Sequence, residues 1–247
     1  MIRRFAVSLV AVGALAVLIA AHFQVSPGAV SNCQNLPSAS QIKAALVAAA
    51  DPTIGGLFNG ERMWGAVVNR DGQFCAEATS TGDKTQVWPG SQAIAKAKAY
   101  TANAFSLDSL ALSTAMLYTF TQPGHSLWSL GQSNLFNPAF LTATSDTATG
   151  TGQIAGGLIF FGGGVALYHN GKIVGGLGVS GDTSCADHEV AKRARTTVAF
   201  DPPGGALVDD IAYPSDGPSV FMHPACLNTF RNGAAVVGGT ETKATTY

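Results

Sequence analysis

The chain has 247 residues, enough for one domain or two small ones with a sizeable core. Only 12% of them are charged and the formal net charge is −1, which argues against nucleic acid as a partner. Glycine is abundant at 29 residues, a composition suited to tight turns and close backbone approaches.

Arg3 and Arg4 precede an apolar run over residues 5–21. This reads as a secretory signal peptide over residues 1–24, or as an uncleaved N-terminal anchor, because the run approaches a membrane-spanning length. The expected location is therefore outside the cytoplasm: periplasmic, extracellular, or anchored on the outer side. Cys33, Cys75, Cys185 and Cys226 follow the run. An even cysteine count in an exported chain points to disulfides, and four cysteines allow three pairings.

Residues 37–51 open on a Ser cap and continue in Ala and Leu, a helix signature. Residues 62–70 and 73–78 have strand composition, and Asp71-Gly72 joins them as a hairpin. Residues 91–105 place Ile94, Ala97, Thr101 and Phe105 on one helical stripe. The stripe is mostly small, so this helix is expected to lie close to a sheet or a ligand. A second helix is expected over residues 107–118. Residues 122–157 are rich in Gly, Ser, Thr and Asn and read as a long loop, with 142–152 as a solubilising insertion. Strands return from residue 159, with Asn170-Gly171 as the turn between two of them. Asp182 or Ser184 is expected to cap a last helix over residues 185–200. Residues 201–247 read as a loop-rich extension. Such segregation of helices and strands suggests an α+β fold with an antiparallel sheet.

Four chemistries are compatible with this layout. Gly176, Gly178 and Gly181 give a G-x-G-x-x-G spacing, but no parallel strand with an acidic residue follows, as a dinucleotide site requires. Ser180 lacks the glycine that a nucleophile elbow needs two residues later, where Asp182 stands. Cys185-x-x-His188 and His223-x-x-Cys226 have zinc-like spacing. Export favours oxidised thiols, so a Cys185–Cys226 bridge is expected in place of that metal site, leaving Cys33–Cys75 as the second bridge. A tetrapyrrole pocket needs an apolar slot and an axial donor, and His125, His169, His188 and His223 are the histidines beyond the signal. Lys96, Lys98 and Tyr100 are candidate partners for haem carboxylates.

The blocks KAKAYTANAFSL, QPGHSLWSL and FFGGGVALYHNGKIVGGLGVSGDTSCADHEVA, taken together, resemble the small haem-binding and haem-degrading domain family. That family includes a protein of a glycolate-utilisation operon and the C-terminal domain of a cobalamin adenosyltransferase. The resemblance spans residues 63–198. It implies a five-stranded antiparallel sheet flanked by helices, a profilin-like sandwich occupying residues 33–200, commonly in a homo-oligomer. Gly178, Gly181, Thr183 and Asp187 match the family's last strand and its turn into the final helix. His125, the insertion over residues 137–154, Cys185, Cys226 and the C-terminal extension depart from the common pattern.

The expected function is that of an exported haem- or tetrapyrrole-binding protein. The alternatives are a haem-degrading or small-metabolite enzyme of the same family, and a non-catalytic oligomeric interaction module. The expected site draws on Lys98, Tyr100, Thr101, His125, Trp128, Asp187 and His188. His125 stands first as axial ligand, beside a Trp128 ring able to stack on a porphyrin. His188 stands second, on the first turn of the last helix.

Overall fold

A computed structural model describes residues 33–142 and 145–237. The expected signal or anchor lies outside them. Among the described residues no helix is long and apolar enough to cross a membrane.

The first helix, α1 (Ala39–Ala49), begins at Ser38, whose hydroxyl accepts from Gln41 N–H while the Gln41 side chain returns to Ser38 N–H. This reciprocal cap satisfies two donors that the first turn leaves free. Strands β1 (Trp64–Asn69) and β2 (Phe74–Thr79) form the expected hairpin, and α2 (Ser91–Phe105) follows. A short helix α3 (Leu130–Ser133) and a short strand β3 (Thr147–Thr149) interrupt the long loop. Strands β4 (Gly164–His169) and β5 (Lys172–Ser180) form the second hairpin and lead into α4 (Ser184–Thr197). A small hairpin, β6 (Thr229–Arg231) and β7 (Ala234–Val237), lies in the C-terminal extension.

The five strands make one antiparallel sheet in the order β3-β2-β1-β5-β4. Helices cover both faces, α1 and α4 on one and α2 on the other. Strand side chains alternate between the two. Val67, Val165, Leu177 and Val179 join Ile42, Leu46 and Val190 in the main core, whereas Trp64, Ala66 and Phe74 meet Ala95 on the α2 side. Glycines set the distance between α2 and the sheet. A Cβ at Gly178 would stand 1.9 Å from Ala95 O, and one at Gly176 would stand 2.2 Å from Ala99 O. The small residues of α2 and the strand glycines thus meet backbone to backbone.

Four expectations are corrected. The strand expected from residue 159 begins only at Gly164, and residues 159–163 are irregular. Residues 107–118 are not a helix. Leu107 and Leu110 bridge one another, Ser106 Oγ contacts both Leu112 N and Leu112 O, and only Thr114–Leu117 makes a 3-10 turn. Residues 142–152 are more than a solubilising insertion, since they supply edge strand β3. The cap of α4 is Thr183, whose hydroxyl accepts from Ala186 N–H. Asp182 instead accepts from Leu57, Phe58 and Thr183 N–H, fastening the loop after α1 to the end of β5.

The outer edge of β4 is occupied. Thr114 Oγ1 accepts from Gly164 N–H, the Arg195 guanidinium donates to Ala166 O, and Phe200 O accepts from Tyr168 N–H. Residues 201–237 pack along α4, placing Ile211, Tyr213, Ala225 and Cys226 in a small core with Cys185.

Candidate functional site

The outward side of α2 is roofed by residues 128–141 and 154–160, and a groove remains between them. Its middle is a cavity of about 310 Å³ lined by Ala93, Ile94, Ala97, Leu135, Leu158 and Ile159. At one end a cavity of about 300 Å³ shares Gly131 and Leu158 and is bounded by Trp128 and Phe160. At the other a cavity of about 380 Å³ shares Leu135, Phe136 and Gly157 and reaches Tyr100 and Ile154. The lining is mainly apolar, and concave apolar surface with few polar groups is the usual form of a small-molecule site. Exposed Trp128, Leu135, Leu141 and Ile154 stand among its lining residues, Leu135 at 81% exposure.

Thr101 is fully buried and serves the groove as a strut. Its hydroxyl donates to Ala97 O at 2.7 Å and accepts from Ile159 N–H at 2.9 Å, tying the facing wall to the helix. Ala97 and Ala93 keep the floor low because they carry only a methyl group. His125 is half-buried in the turn before Trp128, whose N–H donates to His125 O at 3.1 Å. Trp128 and Tyr100 thus line opposite ends of the groove and Thr101 lies beneath it, whereas His125 is not among the residues lining these three cavities.

Lys98, Asp187 and His188 are elsewhere. Lys98 is fully buried, with Nζ 2.7 Å from Asp187 Oδ2 and 3.1 Å from Val179 O. The pair links α2 to α4 across the end of β5. Gly163 makes room for it, since a Cβ there would stand 2.7 Å from Lys98 Nζ. Burial pushes the Asp187 carboxyl up to about 6, against the lowering effect of Lys98, and burial likewise pushes the Lys98 amine down. Asp187 also accepts from Asp182 N–H. Lys98 is thus committed inside the protein and is not a carboxylate partner at the groove. Lys96 is committed in the same way, to Glu77 at 2.5 Å.

His188 is fully buried on α4, with Nε2 3.6 Å from Asp210 Oδ1. His223 is also buried. Its Nε2 accepts from Gly162 N–H at 3.2 Å and its Nδ1 donates to Pro224 O at 2.6 Å. His169 ends β4 and is exposed. The cysteines are joined as Cys33–Cys75 and Cys185–Cys226, with Cα–Cα separations of 5.5 and 5.9 Å. Cys185, His223 and Cys226 do lie together, but in the disulfide neither sulfur is a thiolate, the form that binds zinc. The bridge between Cys185 and Cys226 is the one expected in place of a zinc site through Cys185, His188, His223 and Cys226.

Sequence reasoning missed the groove walls. Leu135-Phe136 and 158–161 are apolar patches in an otherwise polar stretch, and that contrast was the available signal.

Comparison with known proteins gives two positive results. The model of a family described as haem degrading protein, HbpS-like, matches residues 35–196. Among solved structures, a PduOC:haem complex has a TM-score of 0.46 and 23% identity, covering 65% of this chain and 91% of its own. Protein ORFY of Klebsiella pneumoniae has a TM-score of 0.45 and 23% identity, covering 66% and 90%. HbpS has a TM-score of 0.43 and 22% identity, covering 69% and 89%. No curated protein matches the chain.

Proposed function

The chain belongs to the HbpS-like family of haem degrading proteins, and from that premise we propose that it binds haem in the groove over α2. The observation that carries this reading is the run of adjoining apolar cavities across Ala93, Ile94 and Ala97. A porphyrin is flat and apolar at its faces and edge, so a groove floored by small residues and rimmed by Trp128 fits it. When bound, the haem would supply an iron centre able to take a further ligand or to change oxidation state. The chain's own residues set the slot. Ala93 and Ala97 keep it open, Thr101 fixes its far wall, and Trp128 offers a ring for stacking. His125, in the turn beside Trp128, is the proposed axial donor. His188 stands behind it in rank because its ring is enclosed between α4 and the C-terminal extension.

Haem titration tests the reading. Ala93→Trp fills the groove from a half-buried position and should weaken haem binding by at least about tenfold, ~1.4 kcal/mol, with the fold intact. His125→Ala should shift the Soret band. Unchanged affinity in the first variant together with an unchanged Soret band in the second would discard both the groove and the ligand. The family's description favours a second reading, haem degradation. Loss of the Soret band on adding a reductant in air would support it, and a stable band would favour binding alone. The two disulfides support export, since such bonds persist in oxidising compartments.

A further inference from the structure

The β6–β7 turn carries Asn232-Gly233, with Asn232 in the left-handed region at φ 53°. This conformation turns the hairpin back over α4, where three functional groups converge. Lys192 Nζ lies 2.9 Å from the side-chain amide oxygen of Asn232. Asp210 spans the two residues. Its Oδ1 is 2.5 Å from Lys192 Nζ, and its Oδ2 accepts from Asn232 Nδ2 at 3.0 Å. Glu189 holds the arrangement from below. Its Oε1 is 2.7 Å from Lys192 Nζ and its Oε2 accepts from the backbone N–H of Asn232 at 3.2 Å. The Lys192 side chain is 4% exposed and that of Glu189 is 1% exposed.

An ion pair alone would account for Lys192 with either carboxylate. The third N–H of the buried ammonium goes to the carboxamide oxygen of Asn232, which sets an electrophile against the amine and leaves one carboxylate divided between the amine and the amide nitrogen. Those are the parts of an acyl transfer: a nucleophile, an electrophile, and an acid–base group touching both the proton to be removed and the leaving group.

We propose that Lys192 and Asn232 join in an intramolecular isopeptide bond, formed with Asp210 as the proton carrier. The Lys192 ammonium gives one proton to Asp210 Oδ1, and the freed lone pair adds to Cγ of Asn232. Asp210 passes its proton to Nδ2 through Oδ2. The Cγ–Nδ2 bond breaks and ammonia departs, taking the surplus proton of the new amide nitrogen with it as ammonium. Atoms and charge balance without an oxidant, a reductant or a co-reactant. The fold supplies the proximity that makes an unactivated amide reactive, and the exposed side of the Asn232 turn lets ammonia leave to water. The product ties α4 to β6–β7 covalently, and the Cys185–Cys226 bridge ties α4 to the chain just before that hairpin.

Peptide mapping of the full chain after disulfide reduction tests the proposal. The expected result is an intact mass lower by one ammonia, no tryptic cleavage after Lys192, and a branched peptide joining the Lys192 and Asn232 segments. Asp210→Asn should return the full mass and linear peptides. A wild-type chain of full mass overturns the proposal. So does an ammonia loss that maps to a succinimide at Asn232-Gly233 while Lys192 remains cleavable. A branched peptide that persists in Asp210→Asn removes Asp210 from the chemistry. If that variant does not fold, the wild-type map decides the bond by itself.

Discussion

The ring of His223 is hydrogen-bonded at both nitrogens, Nδ1 to a carbonyl and Nε2 to an N–H, which describes one neutral tautomer. Burial is the main reason that its pKa falls from 6.5 to about 3, aided by the charges of His188 and Lys98 and opposed by the bond to Pro224. The unfolded chain therefore binds one more proton than the folded chain between these values. The stability linked to His223 is complete above about pH 6.5 and is lost as pH falls towards 3, at no more than ~1.4 kcal/mol per pH unit. Urea unfolding from about pH 7 to pH 4 should show this slope, and His223→Gln should flatten it. An acid limb of equal steepness in the variant would assign the effect to other groups.

At the level of elements, the meeting of α2 with β5 depends on missing side chains. Gly178→Ala would push a methyl group against Ala95 O and should cost ~1–3 kcal/mol or more through overpacking. Gly82→Ala, with nothing within 4 Å of its Cβ, is the control and should be near neutral. Equal urea midpoints for the two variants would show that α2 shifts without cost. The two hairpins were legible because Asp71-Gly72 and Asn170-Gly171 sit between apolar runs, and the glycines of β5 with the small residues of α2 announced a close approach. Strand β3 was not legible. Its residues Thr-Ala-Thr are exposed or half-buried, so no apolar alternation marks it, and only pairing with β2 makes it a strand. Residues 107–118 misled because their leucines imitate helical spacing, while Ser106 diverts the backbone bonds of Leu112. The groove had a partial signature in the stripe of α2. The Lys98–Asp187 link spans 89 residues, and nothing in either local sequence names the partner.

Over the whole molecule, the C-terminal extension behaves as a brace along α4. Asp209 accepts a two-pronged bond from buried Arg195, at 2.7 Å on each arm, and Cys226 is joined to Cys185. The two cysteines are 41 residues apart, and a bridge closing a loop of that size stabilises by roughly 4 kcal/mol on the chain-entropy account. The Cys185→Ala/Cys226→Ala double variant should lose about that much stability. It should also gain hydrogen exchange in residues 209–226 before any gain in β1 or β5. Simultaneous exchange throughout would mean that the extension and the sheet unfold as one unit.

The occupied edge of β4 bears on how copies of the chain could associate. Sheets of separate molecules merge when a run of backbone donors and acceptors is left open along an outer strand. Here the Thr114 hydroxyl, the Arg195 guanidinium and the Phe200 carbonyl already take those groups on one side. On the other side β3 offers only three residues. Among the described residues the five-stranded sheet offers no long template at either border, so strand-by-strand merging of that sheet between copies of the chain is disfavoured.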